Sequence, residues 1–567
     1  MVAECHQSGE PQASSSDDRR SGRWREVEDL DAFWEARSDS PRLSVRGFAR
    51  SREVPESTFR DQVHRAEAAE AAAEVIEFIE SMPGLAFMRQ IVLAARYVIM
   101  ERSGGGYRMM SEFLELSGLS EFVGASHGAQ YQAMCEMEEA IVAYGRAERA
   151  RSAVAMRPRR ITLVDDETFH HGKICLVAIE PVSNFIVLEQ YAEDRTAETW
   201  TAALSEELEG LPVTVFQCGS DEARALLKVA RTGFGAHHSP DTFHVQQDVG
   251  RGTTLALRRQ AALATAEVAR LRLAHEESVI EAEAYRLTRC GPGRPKDYGK
   301  RLADQEAALG VAQEAAAESE HRCETVRVAR RKLSTLYHPF DLGTGAPRSG
   351  EVIEADLRKQ FEVIDEASTA AGLSAKCRAW VDKARRVAGS MVATVAFVHT
   401  LIRSQIEALL LAPVVEAAVM EQLIGAHYLG EAARKASSAA ERDRILEVVD
   451  RLRSTLDGPD SALAGLGEHE RAALETVALE CAQFFQRSSS CVEGRNGLLS
   501  LRHHSHHYLS PRKLEASTVV HNFGVRRADG TTAAERFFGL RHANLFEHLL
   551  ASLPLPRRPA ARRHTLH

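Results

Sequence analysis

Strand-forming residues are concentrated in one stretch of this sequence, residues 161–218, while most of the remainder is rich in Ala, Glu, Arg and Leu. The stretch reads ITLVDD, KICLVAIEPV and FIVLEQYAED, then a helical RTAETWTAALSEELEGL, then VTVFQC. Apolar and β-branched runs of this length favour strands, and the Ser183–Asn184 step predicts a hairpin turn. We therefore predict an α+β, predominantly helical fold with one small mixed sheet.

Length and composition indicate several domains and an intracellular protein. At 567 residues the chain is too long for one hydrophobic core, so three or more domains are expected. The net charge of −9 does not favour a nucleic-acid binder overall, although a local basic face can still bind DNA. The nine cysteines include no CxxC pair, which argues against a zinc ribbon and fits a reducing cytosol.

The sequence gives no indication of a membrane protein. The N-terminus is polar, so no secretory signal is expected, and the apolar window around 391–420 is interrupted by His399, Arg403, Gln405 and Glu407. This window predicts a buried helix pair, and the expected location is the bacterial cytoplasm, in association with the nucleoid.

Composition shifts along the chain divide it into six predicted regions. These are a disordered arm (1–55), a helical and helix-turn-helix-like DNA-binding domain (56–157), the first part of the sheet domain (158–252), an all-helical insertion (253–480), a returning helix of the sheet domain (481–525) and a basic tail (526–567).

The insertion is expected to contain a long helical hairpin. Residues 253–289 and 298–335 are helical runs, and helix breakers between them occur only in CGPGRPKDYG. An antiparallel, coiled-coil-like pair with arms of about 55 Å follows from the helical rise. The tip faintly resembles an AT-hook, which makes Arg294 and Lys296 candidate DNA contacts, although a tip without function is the simpler interpretation.

Acidic residues follow two of the predicted strands. Asp165, Asp166 and Glu167 end the first strand, and Asp221 follows the fourth. Carboxylates in such positions are typical ligands for Mg²⁺. The alternatives are that the triplet consists of solvated turn residues and that Asp221 caps a helix.

A third acid is expected on the returning helix, in SSSCVEGRNGLLSLRHHSHHYLS. This segment carries Glu493, with Arg495 and Asn496 beside it, and Glu535 is the main rival as third acid. The histidines that follow, among them His503 and His507, are candidates for DNA backbone contact or, less simply, for a zinc site.

The segments VDDETFHHGKICLVAIEP, GSDEA, DTFHV and VEGRNGLLS together resemble the DDE transposases of bacterial insertion sequences, in the ribonuclease H/retroviral integrase superfamily. The resemblance covers about 161–252 and 485–525. It implies a ribonuclease H-like catalytic core whose first and fourth strands are neighbours, interrupted by the large helical insertion.

The resemblance also implies a site. Asp166, Asp221 and Glu493 would be the catalytic carboxylates that hold two Mg²⁺ (or Mn²⁺) ions, with Asp166 preferred over Asp165. The residues expected to support them are Asp165, Glu167, Asp241, His244, Arg495 and Asn496. Candidate DNA contacts are Arg157, Arg159, Arg160, Arg294, Lys296, Arg502 and His503.

The function implied is that of a DNA transposase, which performs Mg²⁺-dependent DNA strand cleavage and strand transfer. The expected partners are double-stranded DNA, as element ends and target, and further copies of the chain in a homo-oligomer. No membrane partner is expected. No nucleotide cofactor is expected either, because no GxxxxGK[ST] loop is present. The alternative is a non-catalytic helical DNA-binding or scaffold protein derived from a transposase.

Overall fold

A computed structural model of the chain describes residues 28–67, 73–170, 172–288, 294–506 and 509–559. These residues form one small mixed sheet surrounded by helices, so the predicted α+β, predominantly helical class is confirmed. The strands are β1 (Arg159–His170), β2 (Lys173–Glu180), β3 (Phe185–Ala192), β4 (Val213–Ser220) and β5 (His237–Pro240).

The sheet has the strand order β3-β2-β1-β4-β5. β1 is antiparallel to β2 and β2 to β3, whereas β4 is parallel to both β1 and β5. The predicted hairpin of β2 and β3 is present, and its turn contains Asn184 at a φ of 63°. The Glu180 carboxylate accepts the Ser183 amide at 2.7 Å, which closes the turn.

Most of the chain is helical. Before the sheet lie α1 (28–39), α2 (Val45–Ser51), α3 (Glu56–Glu67), α4 (Ala73–Glu80), α5 (Met82–Arg96), α6 (Tyr107–Leu116) and α7 (His127–Ala155). Within the sheet region lie α8 (Ala197–Leu208) and α9 (Arg224–Lys228).

The remaining helices follow β5. The insertion contains α10 (Thr242–Thr288), α11 (Tyr298–Leu336), α12 (Gly350–Ala370), α13 (Ala375–Glu407), α14 (Pro413–Ala418), α15 (Ile424–Arg434), α16 (Ala439–Leu456) and α17 (Glu468–Ala482). The chain ends with α18 (Ser490–His506), α19 (Pro511–Val519), α20 (Ala533–Phe538) and α21 (Leu545–Ser552).

Different helices cover the two faces of the sheet. Leu163 of β1 packs on one face with Trp200 of α8. Val164 packs on the other face with Val492 and Leu499 of α18. Because side chains alternate along a strand, successive residues of β1 point to the α8 side and to the α18 side.

The insertion has an apolar cluster of its own and a narrow base. Leu333 of α11 and Val395 of α13 are fully buried members of that cluster. The chain leaves the sheet at Thr242, whose amide donates to the Arg487 carbonyl at 3.1 Å, close to where the chain returns. α10 and α11 run along each other as the arms of a hairpin, and residues 289–293 at its tip lie outside the described residues.

The described residues nearest the two termini, 28–67 and 533–552, are largely helical, where a disordered arm and a basic tail were predicted. α1, α2 and α3 share a small core that includes Phe33, Phe48 and Phe59, so helices replace the expected disorder over 28–51, and α3 belongs with them. Near the C-terminus, α20 and α21 pack into the sheet's core rather than forming a tail. The expectations for 1–27 and 560–567 fall outside the described residues.

One described helix, α13, is long and apolar enough, by length and composition, to cross a membrane. Its residues Val381, Met391 and Val398 are buried in the core of the insertion.

Candidate acidic site at the sheet edge

Asp166 lies in β1, and Asp221 comes directly after β4, the parallel neighbour of β1. The last aligned pair of β1 and β4 is Val164 with Gly219, and each acid comes two residues later. Parallel neighbours lie about 4.8 Å apart, which brings these two backbone positions together at the same edge. The expected adjacency of the first and fourth strands is confirmed by the strand order.

The faces of the sheet distinguish Asp166 from Asp165. Asp166 aligns with Val177 of β2 and lies on the α18 side, where the Asn496 side-chain amide donates to its Oδ2 at 2.8 Å. Asp165 aligns with Ala178 on the opposite side and is 2% exposed. Burial, and secondarily the charge of Asp166, raise the pKa of Asp165 to about 8, so it is largely protonated at neutral pH.

Glu493 approaches from α18. It lies one helical turn before Asn496, so both side chains project from the same face of the helix towards Asp166. Burial and then the charge of Glu493 raise the pKa of Asp166 to about 7; the Glu167 amide that donates to it acts in the opposite direction, and the charges of Glu167 and Asp221 raise it further. The charges of three other acids therefore act on Asp166, one of them directly after β4 and one on α18.

Asp241 and His244 connect α10 to this group. The Asp241 side chain is 1% exposed, and its Oδ2 accepts the Ser489 hydroxyl at 2.5 Å. His244 Nε2 lies 3.7 Å from Asp241 Oδ2 and 3.9 Å from Glu493 Oε1. The start of α10 and the start of α18 thus meet beside the acids.

His238 supports Asp221 and was not predicted from the sequence. Its Nε2 lies 3.0 Å from the Ser220 hydroxyl, which donates to the Asp221 carbonyl at 2.8 Å. Burial lowers the pKa of His238 to about 4, so it is neutral at pH 7. Asp221 does not cap a helix, because α9 begins at Arg224 and the Asp221 carboxylate accepts the Ala223 amide instead.

The rival acid Glu535 lies elsewhere. It closes a capping box with Thr532 at the start of α20. Arg159 donates to the Phe537 carbonyl at 2.9 Å, which places α20 beside the first residue of β1. Asp166 is seven residues further along the strand, on the order of 20 Å away.

Arg495, which was expected to support the acids, has a different acidic partner. It forms a bidentate ion pair with Glu189 of β3, with both distances at 2.6 Å and side chains 3% and 0% exposed. Glu167, the other expected neighbour, pairs with Arg195 at 2.6 Å near the surface.

Two residues predicted to contact DNA, Arg502 and His503, are buried, which does not fit that prediction. Arg502 donates to the Glu101 carbonyl at 2.8 Å and is 6% exposed. His503 stacks on His170 with ring centroids 4.0 Å apart. The second histidine of the possible zinc pair, His507, lies outside the described residues.

The other predicted DNA contacts lie at or near the surface. Arg160 donates to Gln405 at 2.6 Å, and Arg159 is partly buried against α20. Exposed positions are held by Arg157, Arg294 and Lys296.

Within the described part of the chain, no group of three or more His, Cys, Asp or Glu side chains is arranged to hold a metal ion. The acids lie close enough to Asp166 for their charges to raise its pKa, without converging on a single point.

Comparison with known families gives one match. Residues 419–565 match DUF6399, a family of unknown function. The matched region includes α18, and with it Glu493 and Asn496, together with α19, α20 and α21. No curated protein matches the chain.

Proposed function

We propose that this chain is a DDE-type DNA transposase, a metal-dependent enzyme that cleaves DNA strands and transfers them. The observation that carries the proposal is the placement of three acids, with Asp166 in β1, Asp221 directly after the neighbouring β4, and Glu493 on α18, one turn before the Asn496 that donates to Asp166. The pKa of Asp166, raised by burial and by the charges of Glu493 and Asp221, supports a shared site, because raised acid pKa values are typical of functional sites.

The sheet supports the same proposal. Three antiparallel strands are followed by two strands parallel to the first, which is the order and direction expected of the proposed ribonuclease H-like core. In such a core the acids stand at the ends of the first and fourth strands. Here Asp166 and Asp221 each come two residues after Val164 and Gly219, the last aligned pair of β1 and β4.

The donor set suits Mg²⁺ or Mn²⁺, which prefer oxygen ligands. Asp166, Asp221 and Glu493 would hold the ions, and a divalent cation would relieve the repulsion that raises the pKa of Asp166. The Asn496 Oδ1 is a further buried oxygen to which no described residue donates. Two such ions supply activation of the attacking hydroxyl and stabilisation of the leaving oxygen.

The chain's own residues position these carboxylates. Asn496 holds Asp166 Oδ2, while the Glu167 amide donates to Oδ1 at 2.9 Å. Ser489 and Asp241 fix the start of α18 and so the location of Glu493. These contacts orient the acids before DNA binds, which is how a site reduces reorganisation during the reaction.

Nicking of supercoiled plasmid in Mn²⁺ tests the proposal. Asp166→Asn, Asp221→Asn and Glu493→Gln should each reduce nicking by at least about a hundredfold, because each removes a carboxylate that stabilises transition-state charge through the metal. The exposed neighbour of Asp221 provides the matched control, and Glu222→Gln should leave nicking unchanged.

Retained nicking in both aspartate variants would contradict the proposal. A Mn²⁺-dependent rise in melting temperature that persists in Asp221→Asn would also contradict it, because the ion would then bind elsewhere. DNA binding without any nicking by the unaltered chain would favour the non-catalytic DNA-binding or scaffold alternative.

A further inference from the structure

Positive charge is concentrated at the base of the insertion, although the chain as a whole has a net charge of −9. Residues 242–262 of α10, 323–336 of α11 and 375–390 of α13 together carry twelve Lys and Arg and only three Asp and Glu. α10 packs against both α11 and α13. Gly252 permits the close contact, since a Cβ there would lie 2.6 Å from the Cys377 carbonyl oxygen of α13.

Two of these cations are held in fixed positions at the α10–α13 contact. Arg251 and Lys383 lie over the Trp380 ring, at 5.2 and 5.3 Å from its centroid. Beneath them the buried Asp248 carboxylate is 2.8 Å from Lys383 Nζ and 3.6 Å from an Arg251 guanidinium nitrogen. One carboxylate and two cations leave net positive charge, and both cationic side chains remain about half exposed, at 51% and 53%.

The cations continue from the acidic site along one face of α10. Arg251 follows His244 by seven residues, which is two turns and about 10 Å along the axis, and Arg258 follows after the same interval. His244 itself lies 3.9 Å from Glu493. Arg251 and Arg258, with Lys383 beside them, therefore form a basic row that begins two turns from the acids.

We propose that this basic row binds the sugar-phosphate backbone of double-stranded DNA and guides it to the acidic site. The proposal rests on the proposed function only for the direction of the DNA, since phosphate binding by the row is independent of cleavage. Exposed guanidinium and ammonium groups are the usual phosphate donors of DNA-binding proteins.

The aromatic residue in the row favours duplex over single-stranded DNA. Proteins that bind single strands stack bases on open aromatic rings. The Trp380 ring is half-buried, and it is already covered by Arg251 and Lys383. The ring positions these two cations and is not open for a base to stack on it.

Fluorescence anisotropy with the full chain, EDTA and a labelled 30-base-pair duplex tests the row without any cleavage. Arg251→Gln and Lys383→Gln should each weaken binding roughly fivefold to tenfold and reduce the slope of log K against log salt by about 1. The effect should be the same for duplexes of different sequence. Arg251→Lys, which keeps the charge, should restore most of the affinity.

Arg270→Gln is the matched control, because it removes an exposed arginine from the same helix about 28 Å further on. It should bind the duplex like the unaltered chain. Circular dichroism and thermal unfolding establish that each variant is folded. If Arg251→Gln does not fold, Arg258→Gln replaces it, since this exposed side chain lies on the same face.

Unchanged duplex affinity and salt slope in Arg251→Gln and Lys383→Gln would overturn the proposal. Tighter binding of single-stranded DNA or RNA than of duplex by the unaltered chain would overturn the assignment to duplex DNA. Loss of duplex binding in the row variants, in a chain that nicks no plasmid, supports the row and contradicts the proposed function alone.

Discussion

The acidic site and the basic row lie close to each other at the base of the insertion. They differ in the sign of their charge and in the burial of their side chains. The acids combine burial with like charge, which raises the pKa of Asp166 to about 7 and of Asp165 to about 8. Arg251 and Lys383 of the row stay half exposed, and the buried Asp248 fixes both in place.

Because of this difference, the two regions respond to different solution conditions. Buried carboxylates respond to pH and to divalent cations, because their charges are poorly screened by water. Exposed cations respond mainly to salt, since their partners in solution are screened over about 10 Å at 0.1 M ionic strength. The predictions below are ordered by the size of the expected effect.

The largest effect is expected from Arg495, which lies beside the acids in sequence but pairs with Glu189 in the interior. Arg495→Ala leaves that carboxylate buried and unpaired, at a cost of about 3–5 kcal/mol in the free energy of unfolding. Urea unfolding measures it. Asn496→Ala, the matched change at the next position, should cost about 1 kcal/mol or less because its side chain is only partly buried.

A stable Arg495→Ala variant with lost nicking would place this residue at the acidic site after all. That result would contradict the difference in role between Arg495 and its neighbour on α18, Asn496.

A medium effect is expected from pH. Asp165 keeps its proton in the folded chain up to about pH 8, whereas an unfolded aspartate loses it near 3.9. The unfolded chain then binds fewer protons, so stability falls as pH rises from about 4 to 8 and is independent of this group above that range.

Asp165→Asn should make this fall shallower, by about 1–3 kcal/mol between pH 5 and pH 8. Urea unfolding at several pH values measures the slope, with Glu222→Gln as the exposed control. Identical slopes for Asp165→Asn and the unaltered chain would show that this carboxyl is ionised in the fold.

The smallest effect is expected from Ser489, the hydroxyl that holds Asp241 at the start of α18. Ser489→Ala should lower the free energy of unfolding by about 1–2 kcal/mol and nicking by roughly tenfold, because Glu493 loses its support. Ser490→Ala, an exposed change one residue later, provides the control. Equal nicking by both variants would exclude a positioning role for Ser489.

Local patterns in the sequence predicted much of the sheet. Apolar runs and a turn were sufficient for β1 to β4, because those signals lie within a few residues of one another. Local patterns did not predict β5, since its sequence HHSP is polar and only four residues long. Its position is determined by pairing with β4, and that pairing cannot be recognised from the local sequence.

The candidate site was predictable in part for the same reason. Asp166 and Asp221 come at the ends of recognisable apolar runs, although β1 itself continues beyond the acids to His170. Asp165 stayed an alternative because strand parity alone does not say which face α18 covers. The burial of Arg495 depends on Glu189, a partner 306 residues away. No local pattern contains such a contact.

The narrow base of the insertion also has a consequence for the order of events during synthesis. Glu493 follows Asp221 by 272 residues, and α18 packs on the sheet only after that segment has been made. At ordinary elongation rates the delay is roughly 15–50 s. A nascent chain therefore carries its first two acids long before its third, and any activity that needs all three begins only when translation of the helical insertion is complete.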